Sequence, residues 1–83
     1  MRILKITSMT CTSCIIMNNV INKIKNNYDI EVDNIDYDFD DVSEYNVGNI
    51  LPVIIFYDGD KEIKRIEGEH SYKEVEEIIN EEV

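Results

Sequence analysis

The chain has 83 residues, 43% of them hydrophobic and 31% charged, which fits one folded domain over residues 1–83 and is too apolar for a disordered chain. Eight Lys and Arg against 18 Asp and Glu leave a net charge of −10, which argues against nucleic-acid or anionic-membrane partners, since both demand a basic face. No apolar run approaches the roughly 20 residues of a membrane span, and the N-terminus shows no apolar stretch with a small-residue cleavage site, leaving the cytoplasm as the expected location.

In chain order, Arg2 to Thr7 is β-rich and reads as a first strand. The only two cysteines follow at once, as Cys11 and Cys14 of a C-x-x-C. Ile16, Val20 and Ile24 recur at spacing four with Met17 and Ile21 beside them, which predicts an amphipathic helix from about Thr12 to Asn27. Ile30 to Asp36 predicts a second strand. The acidic run Asp38 to Asp41 suits the start of a short helix, because carboxylates favour the positive N-terminal end, with Val42 and Tyr45 facing inward. Gly48 and Asn49 punctuate the chain, and Pro52 opens the apolar run Val53 to Tyr57, a strand buried on both faces. Asp58-Gly59-Asp60 predicts a hairpin turn and Lys61 to Glu67 the returning strand. Its apolar positions Ile63 and Ile66 are three apart, which calls for a bulge or a partly exposed edge. After Gly68, Ser71 and Glu74 form a capping-box pattern, and Tyr72, Val75, Ile78 and Ile79 mark a final helix. His70, in the loop between, reads as a surface polar residue with no ligand or base role. The order is that of a mixed sheet with helices packed on it.

The cysteine pair is where the chemistry lies. A secreted scaffold would spread more cysteines along the chain, and a bridge closing so small a loop stabilises little by chain entropy. Two thiols and a distant His70 do not fill a tetrahedral zinc shell. The thiolate attacks disulfides, and a helix N-terminus favours it through unpaired N–H groups and the dipole. Cys11 stands at that end and is the expected nucleophile. Cys14, one turn on and facing inward, would attack the mixed disulfide and release the substrate. The three-residue spacing puts both sulfurs on one face, within bonding reach.

Cys11-Thr12-Ser13-Cys14 after a strand, Asn34-Ile35-Asp36, Leu51-Pro52-Val53 followed by Ile54-Ile55-Phe56-Tyr57-Asp58-Gly59, and Ile66-Glu67-Gly68 before a helix together resemble the thioredoxin superfamily. The resemblance covers nearly the whole chain, at the size of the small glutaredoxin-like members. It implies an α/β fold with a mixed four-stranded sheet, β-α-β-α-β-β-α, and helices on both faces. It implies a thiol–disulfide oxidoreductase that exchanges electrons with protein or small-molecule disulfides through a redox-active Cys11–Cys14 pair, with no bound cofactor and no metal. Thr12, Ser13, Leu51 and Pro52 would contact substrate, with Pro52 in the family's cis form holding its loop against the cysteines. A reductase or a low-molecular-weight thiol would supply electrons, and the protein would act as a monomer.

Four positions depart from the family's pattern. Thr10 stands where Trp often precedes the first cysteine, Ser13 where Pro often precedes the second, and Val53 where Thr often follows the proline. Lys5 falls where classical thioredoxins bury an Asp. A Lys5 side chain aimed at the motif would stabilise a thiolate, whereas one that snorkels to water would be structural. Met9-Thr10-Cys11-Thr12-Ser13-Cys14 also resembles the M-x-C-x-x-C of heavy-metal-associated domains, which carry soft copper between two thiolates. Against that family stand Ser8 in place of its Gly, the helical C-terminus, and Pro52 with its hairpin. A redox-inert thioredoxin-like binding module is a third reading. Met9 reads as a packing or substrate-facing side chain rather than a metal ligand.

Overall fold

The computed structural model describes residues 1–82, and Val83, the last residue of the expected domain, lies outside the described residues. Four strands, β1 (Arg2–Thr7), β2 (Glu31–Asp36), β3 (Val53–Asp58) and β4 (Lys61–Glu67), form one sheet in the order β2-β1-β3-β4. β1 runs parallel to β2 and antiparallel to β3, and β3 runs antiparallel to β4. The parallel pair needs a crossover, supplied by α1 (Thr12–Tyr28), and α2 (Tyr72–Glu82) follows β4.

The alternation of strand side chains divides the core between the two faces. On one, Ile3, Ile54, Phe56 and Ile66 pack with Met17, Ile21 and Ile24 of α1 and Val75 and Ile79 of α2. On the other, Leu4, Ile6, Val53 and Ile55 are covered by Val42, Tyr45, Val47 and Leu51 from the segment between β2 and β3. Both α-helices therefore share one face. The opposite face carries a single 3-10 turn, Ser43–Tyr45, where the sequence led to a short α-helix beginning at the acidic run. The aspartates explain the difference. Asp36 accepts the N–H of Asp38 at 2.8 Å and of Phe39 at 3.3 Å, Asp40 accepts that of Asp36 at 2.9 Å, and Asp41 accepts that of Ser43 at 3.0 Å. Local side-chain bonds of this kind compete with helical ones.

Helix α1 turns its Met17, Ile21 and Ile24 row inward, and Ile16, assigned to that face by its spacing, is instead 43% exposed. The helix ends at Asp29, a left-handed residue whose N–H bonds Lys25 O at 3.0 Å. On β4 the irregularity anticipated from Ile63 and Ile66 is present: Phe56 faces Lys64 while Tyr57 faces Glu62, leaving Ile63 as the extra residue of a bulge. The bulge lets Ile63 and Ile66, three apart, face the same core. Gly59, at φ +63°, supplies the left-handed position of the tight turn between β3 and β4. The capping box is formed, with Glu74 N donating to Ser71 Oγ and Ser71 N donating to Glu74 Oε1, each at 3.2 Å.

Candidate active site

β1, β2 and β4 end, and β3 begins, at the same end of the sheet, so the loops after β1 and before β3 meet there. Cys11 lies on the first of these as the N-cap of α1. Its backbone is extended, and its sulfur takes the place of the usual capping oxygen, accepting the N–H of Cys14 at 3.2 Å. Its own N–H donates to Ser8 O at 3.2 Å. Across the gap, the Cys11 thiol donates to Leu51 O at 3.6 Å.

The Leu51–Pro52 peptide bond is cis, and Pro52 is buried. Pro52 O accepts the N–H of Gly68 at 2.9 Å, so the turn before β3 is held between Cys11 on one side and the end of β4 on the other. Gly68 has φ +79°, a conformation that favours glycine, and a Cβ there would touch Ile50 Cγ2 at 3.4 Å.

The two thiols are free and differ in setting. Cys11 is half-buried, whereas Cys14 is 1% exposed. Burial, aided by the hydrogen bond with Cys11 and partly opposed by one with the Ser8 backbone, pushes the Cys14 thiol up to about 11. One sulfur is thus reachable from solvent, while its neighbour is shielded and protonated at neutral pH. Thr12 is exposed and Ser13 half-buried on the turn between them. The structure brings the cysteines, Thr12, Ser13, Leu51 and Pro52 to this one place.

Lys5 does not spend its amine on a thiol. It is 9% exposed, and its Nζ donates to Asn18 Oδ1 at 2.9 Å, one turn beyond Cys14 on α1. Desolvation, with a smaller contribution from Lys25, lowers its pKa. Two further side chains, Ser8 and His70, hold contacts that sequence reasoning missed. Ser8 Oγ donates to Asp38 Oδ2 at 2.7 Å and tethers the acidic loop to the approach to Cys11. His70, read as a plain surface residue, spans β4 and α2. Its Nδ1 lies 3.0 Å from Glu74 Oε2, its Nε2 lies 3.0 Å from Glu67 O, and its backbone N–H points to Met17 Sδ at 3.2 Å. Only the spacing of His70 and Glu74, four apart, carried a signal for this.

The family model described as Thioredoxin matches residues 1–81. Among solved structures, thioredoxin 1 of the thermophilic eubacterium Thermosipho africanus is 29% identical, with a TM-score of 0.87 over 98% of this chain and 92% of that one. Thioredoxin-2 of a malaria parasite, described as a component of its protein secretion machinery, is 19% identical, with a TM-score of 0.87 over 95% of this chain and 80% of that one. The Schistosoma mansoni thioredoxin pre-protein is 18% identical, with a TM-score of 0.83 over 98% of this chain and 77% of that one. The last two likenesses concern the fold alone. No curated protein matches the chain.

Proposed function

The chain belongs to the thioredoxin family, whose fold and C-x-x-C support thiol–disulfide exchange in general, and on that premise we propose that it reduces disulfides with Cys11 as nucleophile and Cys14 as resolving thiol. The observation that carries this reading is the asymmetry of the pair: a reachable Cys11 beside the Leu51 carbonyl, and a buried Cys14 held protonated one turn away. The Cys11 thiolate attacks one sulfur of a substrate disulfide, forming a mixed disulfide and expelling the other sulfur as a thiolate, which takes up a proton. Cys14 then loses its proton and attacks Cys11 Sγ, so the second substrate sulfur leaves and the protein keeps a Cys11–Cys14 disulfide. Two electrons have passed to the substrate, and an external dithiol or reductase restores the pair. The exchange needs no cofactor beyond the two cysteines. Leu51 offers its backbone to the substrate chain, and Thr12, Ser13 and Pro52 shape the surface around the attacked sulfur.

A copper-carrier reading rests on M-x-C-x-x-C alone, and it gains nothing from the turn before β3, whose Pro52 carbonyl is bonded to Gly68.

Trapping tests the assignment. Cys14→Ser should accumulate a mixed disulfide on Cys11, and Cys11→Ser should trap almost none. In the reduced wild type, limiting iodoacetamide near neutral pH should label Cys11 well before Cys14, and labelling of Cys14 should climb with pH toward about 11. Trapping through Cys14 would reverse the roles. Failure of the wild type to reduce any disulfide with dithiothreitol as donor would remove the reading.

A further inference from the structure

Two independent features of the thiol end remain unused by this chemistry. The first is a set of exposed apolar side chains. Met9 is 77% exposed two residues before Cys11, and Ile15 is 60% exposed one helical turn after it. Ile50, 55% exposed, adjoins Leu51 and lies against Gly68. Phe39, 79% exposed, rides on the loop that Asp38 tethers to Ser8. Apolar side chains this open, gathered around a reactive sulfur, lose water only when a partner covers them.

The second is charge of a single sign. Segments 8–15, 36–52 and 66–70, which build this end, hold seven Asp and Glu, among them Asp38, Asp40 and Glu67, and no Lys or Arg. Of the cations nearest this end, Arg65 reaches Tyr45 O but is paired with Glu62 at 2.8 Å, Lys5 is bonded to Asn18 on α1, and Lys73 follows the third segment on α2. Arg2, at the far end of β1, sits 4.8 Å over the Tyr57 ring and 3.5 Å from Asp33. Lys23 and Lys25 belong to the later turns of α1, and Lys61, Lys64 and Arg65 to β4.

We propose that this end is a docking surface for polypeptide disulfides whose cysteine is flanked by Lys or Arg and by an apolar side chain. The proposal rests on the oxidoreductase reading and names its substrate class. Carboxylates of one sign steer a cationic segment toward the sulfur and repel an anionic one. The apolar flank covers Met9, Ile50 and Phe39. The bound cation also supplies what the rim lacks, a positive charge beside the attacking thiolate. Electron balance is that of the exchange above, with dithiothreitol as the dithiol reductant in the test.

The test compares three disulfides under dithiothreitol turnover. Two are peptides identical except for Lys or Glu beside the cysteine, and the third is hydroxyethyl disulfide, which is neutral. At low ionic strength the Lys peptide should be reduced at least ~10-fold faster than the Glu peptide, and about 0.5 M NaCl should erase most of that ratio. A triple variant, Asp40→Asn with Asp41→Asn and Glu67→Gln, should shrink the same ratio, and the salt series on the wild type decides the matter if that variant does not fold. Phe39→Ser should slow both peptides alike. Equal rates for the two peptides, with hydroxyethyl disulfide still reduced, would overturn the docking proposal and leave the oxidoreductase reading standing. No reduction of any of the three would overturn that reading and the proposal with it.

Discussion

The face of the sheet under α1 and α2 and the face under the 3-10 turn are built to different depths. The first packs Phe56, Ile3, Ile54 and Ile66 against buried rows from two helices. The second rests Leu4, Ile6, Val53 and Ile55 under side chains of one irregular segment, all of them only partly buried. The candidate site straddles the two. Cys14 is fixed by the helical side, whereas Leu51, which faces Cys11, ends the thinly packed segment. One side of the candidate site is thus set by a helix, and the other by a loop held through bonds such as Pro52 O to Gly68. Local opening is least costly where buried apolar contacts are fewest. The Leu51 side should therefore open without loosening Cys14.

The largest effect expected from this contrast is on stability. Phe56→Ala should cost about 3–5 kcal/mol in chemical denaturation, the range for deleting a fully buried aromatic ring. Val42→Ala, on the thin face and half-buried, should cost about 1 kcal/mol, since each buried methyl is worth about 0.8 kcal/mol. Equal costs would break the comparison. Hydrogen exchange sharpens it: amides of residues 42–50 should exchange faster than those of Met17 to Ile24.

A smaller effect separates the faces by titration. Lys5, on the helical side, has a depressed pKa. The unfolded chain therefore binds more protons than the folded one between the lowered folded value and 10.5, so the stability that Lys5 costs below that window fades as pH rises through it. The difference in stability between wild type and Lys5→Met should accordingly shrink from neutral pH toward pH 10. A difference that does not vary with pH would mean that the amine is already solvated. The smallest effect lies at Glu74. Its hydrogen bond with His70, then those with Ser71, hold its carboxyl below the ordinary value. That contribution is present above the usual carboxylate pKa and is lost as pH falls through the lower folded value. Glu74→Gln should flatten only this acid limb of the stability curve.

Strand and helix positions on the helical side were legible because their signals are local. β1 and β4 match their expected bounds, and the Ser71–Glu74 pattern forms the cap it implies. The C-x-x-C placed both cysteines at the strand–helix junction. The thin face was legible only in part. Val42 and Tyr45 do face inward, but Asp36, Asp40 and Asp41 satisfy nearby N–H groups themselves and leave a 3-10 turn. Ile16 fits a spacing of four with Val20 and Ile24, yet the buried row of α1 runs through Met17, Ile21 and Ile24, and one row cannot be told from its neighbour without knowing where the sheet lies. Lys5 to Asn18 and Ser8 to Asp38 join residues 13 and 30 apart. Nothing in sequence spacing encodes such pairs.

The bulge at Ile63 bears on how the protein keeps company with other chains. β4 is an edge strand, and an unbroken edge offers a row of unpaired N–H and C=O groups to any passing strand. Here the extra residue breaks that row, while Lys61, Glu62 and Lys64 set exposed charges along it. A strand presented by another chain therefore finds no continuous edge to pair with along β4. Two copies are equally discouraged from joining through β4.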